Sequence, residues 1–70
     1  MFTIIGGALN GGSFATLFRA VEAYKEVAGL AECWTSDPVA VDGATRVYLY
    51  PSEAAMMADT KKDGVFIEFA

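Results

Sequence analysis

The stretch "IIGGALNGGS", residues 4–13, decides the fold. Apolar chain stops at Gly6-Gly7, a second glycine pair follows at Gly11-Gly12, and the path taken beyond Ser13 sets the neighbours of every later element. Ahead of it, "FTII" (residues 2–5) is rich in β-formers and predicts a short first strand. Beyond it the apolar period changes. Phe14, Leu17, Phe18, Val21, Tyr24 and Ala28 fall at helical spacing, with Thr16, Arg19, Glu22, Lys25 and Glu26 facing away. The stretch is therefore expected to lead straight from a strand into a helix, with Ser13 as N-cap and Gly29-Leu30 as a left-handed C-terminal cap.

Further along, "AECWTSDPVAV" (residues 31–41) predicts a second strand broken near Pro38, because proline removes a ladder donor. Asp42-Gly43 is a strong hairpin signal, and "TRVYLY" (residues 45–50) is the clearest strand. Pro51 ends it. Ser52 is expected to cap a second helix, "SEAAMMADTKK" (residues 52–62), with Ala54, Met57 and Ala58 inward and Met56 left on an outer apolar surface. Asp63-Gly64 then turns into "VFIEF" (residues 65–69), the final strand. The order β-α-β-β-α-β predicts a ferredoxin-like α+β domain over residues 1–70: a four-stranded antiparallel sheet with two helices on one face.

Composition excludes several functions. A chain of 70 residues buries only about 60% of the surface its unfolded form exposes. A lone Cys33 and the absence of histidine leave no internal disulfide, most zinc sites ruled out, and no cofactor or metal expected. With 54% apolar residues, association is the remaining route to added stability. Nine acidic against five basic residues give a net charge of −4. Arg19, Lys25, Arg46, Lys61 and Lys62 are scattered, which argues against direct nucleic-acid binding. No apolar run approaches the ~20 residues of a membrane span, and the N-terminus lacks the basic flank of a signal peptide. Met1 directly ahead of a strand reads as the start of a complete short frame. With its free thiol, the expectation is a cytoplasmic protein, of a host cell if phage-encoded.

Without histidine, the usual general acid–base and triad chemistries have no carrier. Cys33 has no basic neighbour to activate it and reads as a buried or half-buried strand residue. Carboxylates are spread singly, Asp59 and Asp63 included, so no enzyme is expected. Gly6 to Gly11 has the glycine spacing of a P-loop, but Gly12 stands where lysine is required, and G-x-G-x-x-G is missing. The glycines then serve a tight turn that lets the helix approach the sheet. Otherwise Asn10, Gly11, Gly12 and Ser13 form a small-anion or amino-acid site at a helix N-terminus.

On "LNGGSFATLFRAVEAYKEVAGL" (residues 9–30) the chain is similar to the loop-and-helix opening of ACT regulatory domains. That resemblance implies the same β-α-β-β-α-β order and an amino-acid site near the glycine turn at a dimer interface. The family's usual aspartate ahead of the loop glycine is Asn10 here. Heavy-metal-associated domains share the topology, but their first-loop Cys-x-x-Cys has no counterpart in this chain.

Strand alternation predicts which face stays open. Val47, Leu49, Val65, Ile67 and Phe69 should face the helices. The opposite face would carry Trp34, Tyr48, Tyr50 and Phe66, edged by Glu32, Arg46 and Glu68. Such aromatics either make cross-strand pairs under a covering segment or form an interface. RNA-recognition motifs stack bases on open-sheet aromatics of this fold, a use the acidic balance disfavours. The expected function is a noncatalytic protein-interaction module, either a homodimer or a small acidic inhibitor or adaptor acting on a basic surface, in the manner of small phage-encoded inhibitors. The alternative is an ACT-like small-molecule sensor using the glycine loop.

Overall fold

A computed structural model describes residues 1–58 and 64–70. The elements are β1 (Phe2–Ile5), β2 (Ser13–Phe14), α1 (Leu17–Ala28), β3 (Trp34–Thr35), β4 (Val39–Val41), β5 (Ala44–Tyr50), α2 (Glu53–Met57) and β6 (Phe66–Phe69). They form an α+β fold with an open antiparallel sheet and, among the described residues, two helices. The sheet has six strands in the order β2-β1-β6-β5-β3, with β4 also paired to β5.

The glycine stretch accounts for one of the two strands beyond the expected four and for the changed strand order; the other comes from the break at Pro38. Instead of entering a helix, the chain doubles back: Gly11 N–H donates to the Ile4 carbonyl (2.7 Å) and Ile4 N–H to the Gly12 carbonyl (2.8 Å). Ser13 and Phe14 thereby pair with Thr3 and Phe2 as a hairpin. In the ferredoxin-like order the last strand occupies the outer edge of the first. Here β2 holds that edge, so β6 inserts between β1 and β5 and pairs antiparallel with both. Gly6 makes the turn fit: its φ is +92°, and a Cβ there would lie 3.0 Å from the Gly64 carbonyl oxygen.

The first helix accordingly starts late. Thr16, not Ser13, is the N-cap, its Oγ1 accepting from Arg19 N–H at 3.1 Å. Ala20 is fully buried, and Leu17, Val21 and Tyr24 pack on the core. Phe18 and Ala28, expected inward, are exposed, Phe18 by 73%. Starting the helix at Leu17 gives the inner stripe to positions 17, 20, 21 and 24 and turns Phe18 outward. The C-terminus matches expectation: Gly29 is left-handed, its N–H donates to Glu26 O, and Leu30 N–H donates to Lys25 O, a Schellman closure.

The second strand breaks at Pro38 into β3 and β4, both paired to β5. Trp34 and Thr35 face Tyr50 and Leu49, whereas Val39, Ala40 and Val41 face Arg46, Thr45 and Ala44. Residues 36–38 thus span only Val47 and Tyr48 on β5, a bulge with one extra residue. Ser36 carries the ladder across it, donating N–H to the Tyr48 carbonyl and accepting Tyr48 N–H on Oγ, both at 2.9 Å. Asp42 and Gly43 form the expected hairpin turn, with φ of 49° and 83°.

Ser52 caps α2 as expected, accepting Ala55 N–H at 3.1 Å. The described helix ends at Met57 with Ala58 as its C-cap, and the rest of the expected stretch, Asp59 and Asp63 included, lies outside the described residues. Its expected inner face is reversed: Ala54, Met57 and Ala58 are exposed, while Ala55 and Met56 are half-buried as α2 lies against β3 and β5. The core joins Ile4, Leu49, Val65 and Ile67 to Ala20 of α1, with Phe2, Phe14 and Phe69 packed around it. Val47, across the ladder from Ile67, is buried as well. The aliphatic alternation read in β5 and β6 therefore places the core face correctly.

Candidate interaction surface

Opposite the α1-covered core, the register builds a second face row by row. Residues directly paired across strands share a face. Val39, Arg46, Glu68, Thr3 and Ser13 form one row, and Tyr48, Phe66 and Ile5 the next. Tyr48, Phe66 and Ile5 are half-buried, and Val39 is exposed.

Four of the seven residues expected on this face meet there. Phe66 is central: the centroid of the Tyr48 ring lies 5.6 Å from its own, with the rings tilted by 55°, and the Arg46 guanidinium stands over the Phe66 ring, 4.4 Å from the centroid. Arg46 Nε donates to Glu68 Oε2 at 3.1 Å. Hydrogen bonding to Tyr48 and then to Glu68 holds the guanidinium above its ordinary value, so its charge is fixed. The cluster is therefore an aromatic pair crossed by a cation and balanced by a carboxylate. At the sheet edge, Thr3 Oγ1 and Ser13 Oγ lie 3.1 Å apart.

The other three stand apart from it. Trp34 is 37% exposed, and its Nε1 donates to Glu32 Oε1 at 2.6 Å. Tyr50, expected to be open, is only 2% exposed. It ends β5 opposite Trp34, where α2 packs on the β3–β5 end of the sheet. Sequence reading missed Ile5 and Val39. Ile5 could have been found by alternation from inward Ile4. Val39 could not, because the bulge reverses the parity between Trp34 and Val39.

Several N–H groups of the glycine loop are used within the hairpin. Gly6 N–H donates to Asn10 Oδ1 (2.7 Å), Asn10 N–H to Gly7 O (3.4 Å), and Gly12 N–H to Leu9 O (3.0 Å). Asn10, Gly11 and Gly12 thus tie the hairpin together, and Ser13 lies in β2, away from the helix N-terminus.

Cys33 is half-buried one residue before β3. Burial pushes its thiol up, opposed by a backbone hydrogen bond at Tyr50 and the charge of Lys25, with Glu22 adding to the rise. A thiol held protonated is a poor nucleophile. Among the described residues, no group of three or more histidine, cysteine, aspartate or glutamate side chains could hold a metal ion. None of the described helices is long and apolar enough to cross a membrane.

The chain matches no protein-family model, no curated protein and no solved structure.

Proposed function

We propose that this chain is a noncatalytic protein-interaction module that pairs with a second copy of itself through the open sheet face. The observation that carries the reading is the contiguous row of Ile5, Phe66 and Tyr48 on the side of the sheet opposite the α1-covered core. Aromatics with a charged flank are the composition of a binding surface, and buried aromatic anchors dominate interface energies. A second copy suits the face because Arg46 and Glu68 cancel within it, so two such faces meet without net repulsion at the contact. Self-pairing also answers a physical need. Seven apolar residues are buried among the described residues, and the single cysteine allows no internal disulfide. Domains of this size commonly gain stability by association.

Light scattering on a sizing column tests it. The wild type is expected at the mass of a dimer, and Tyr48→Ser/Phe66→Ser at that of a monomer with unchanged helix content by circular dichroism. Exposed Val39, at the face edge, supplies a variant that spares the core: Val39→Arg should also give a monomer. A wild type that stays monomeric at every concentration, or a folded double variant that stays dimeric, overturns the reading.

A further inference from the structure

Away from the sheet, the outer side of α1 and the neighbouring β2 enclose an open groove of about 480 Å³. Phe14, Phe18 and Ala23 line it with apolar surface, and Glu22, Glu26 and Arg19 line it with charge. Phe18 is the most unusual of these, a phenylalanine 73% exposed on a helix whose inner stripe is already complete without it. Glu22 and Glu26, four apart, project from the same side of the helix. Among the described residues Glu22 forms one ion pair, with Lys25 at 3.5 Å, and a pair this open to solvent contributes little.

We propose that this groove docks a basic amphipathic segment of a partner protein, seating an apolar side chain against Phe18, Phe14 and Ala23 and setting lysine or arginine against Glu22 and Glu26. The charge balance selects this occupant. The lining carries Glu22 and Glu26 against Arg19, with Lys25 beside Glu22, so the selection rests on Glu26 and on the chain's net charge of −4, which together draw a cationic segment. A second copy is disfavoured, since groove against groove would bring Glu22 and Glu26 onto their own counterparts. The hollow is too open to enclose a small molecule, whereas a helix laid along α1 can fill it with side chains one turn apart. The proposal goes beyond self-association and uses a different face, so either can fail alone.

The test uses the full chain and two labelled helical peptides of about four turns, one of leucine and lysine and one with glutamate for every lysine. Fluorescence anisotropy should show the leucine–lysine peptide binding in the micromolar range and the acidic one not binding. Phe18→Ser should weaken binding about tenfold, as loss of an aromatic anchor does. Glu22→Gln/Glu26→Gln should weaken it several-fold and flatten its salt dependence, while the charge-matched Asp37→Asn/Glu53→Gln, placed elsewhere on the surface, should leave it unchanged. All these side chains are exposed, and circular dichroism checks that each variant is folded. The proposal is overturned by any of four results: no binding by the wild type, equal weakening in the charge-matched control, no effect of the groove variants, or loss of binding in Tyr48→Ser/Phe66→Ser instead.

Discussion

Gly6 and Gly11 both hold positive φ, yet a methyl group costs them differently. At Gly11 a Cβ meets nothing within 4 Å, so Gly11→Ala bears only the backbone penalty of a positive φ, about 1–2 kcal/mol. At Gly6 the same Cβ also lies 3.0 Å from the Gly64 carbonyl oxygen, a backbone atom that cannot move without displacing the approach to β6. Gly6→Ala should therefore cost about 2–3 kcal/mol. Urea melts of the two variants check the ranking, and equal losses would show that the close approach carries no energy. Cys33 gives a prediction in pH. Burial raises its thiol above the ordinary value, so the folded chain keeps a proton that the unfolded chain begins to lose near pH ~8.5. The stability from the neutral thiol is then full below that pH and is lost as pH rises through the folded value. Between neutral pH and about pH 10 the wild type should lose more stability than Cys33→Ala, which removes this titration while leaving lysines and tyrosines in place. Parallel melts of the two proteins check the sign.

Among the elements, α1 and β6 show what the sequence could and could not convey. Ser13 and Thr16 are both acceptable N-caps, and the residues themselves do not choose between them. The choice falls to the glycine loop, which returns the chain to β1 and leaves Thr16 as the first position free to cap. Thr16→Ala should cost about 1 kcal/mol and lower helix content, whereas Ser13→Ala, whose hydroxyl faces Thr3, should leave helix content unchanged. Circular dichroism separates the two. Local signals were legible where one or two residues determine the geometry: the Asp42-Gly43 turn, the Gly29 cap, the Ser52 cap and the break at Pro38. The alternation of "TRVYLY" and "VFIEF" likewise placed Val47, Leu49, Val65 and Ile67 inside. Strand order was not legible, because competition of β2 and β6 for an edge of β1 is a contest between distant segments. The change of parity across the break at Pro38 and the burial of Tyr50 escaped for the same reason, since both depend on what packs across from them. The candidate surface was thus half readable, with Arg46, Tyr48, Phe66 and Glu68 meeting, Trp34 turned to Glu32 and Tyr50 buried at the α2 end of the sheet. Because β6 lies between β1 and β5, its Ile67 touches both halves of the sheet at zero exposure. Ile67→Ala should cost about 2–5 kcal/mol and largely unfold so small a chain, a larger loss than Leu17→Ala on half-buried α1.

On the scale of the whole molecule, self-association and groove docking answer to the same charge with opposite signs. Each copy carries −4, so two copies repel at long range even though Arg46 and Glu68 balance the contact itself. The reach of that repulsion falls from about 30 Å in 0.01 M salt to about 8 Å at physiological ionic strength. Dimerisation through Ile5, Phe66 and Tyr48 should therefore tighten as salt is added over this range, while a lysine-rich peptide at Glu22 and Glu26 should bind more weakly. Because the dimer is favoured only by the folded chain, its melting temperature should rise with protein concentration and more steeply at higher salt. Tyr48→Ser/Phe66→Ser should melt at one temperature across the same concentrations. A concentration-independent wild type would remove self-association from the account. If instead the dimer weakened with salt, charge pairs between copies would be holding it, with Arg46 and Glu68 reaching across rather than to each other. The apolar row would then lose its place as the anchor.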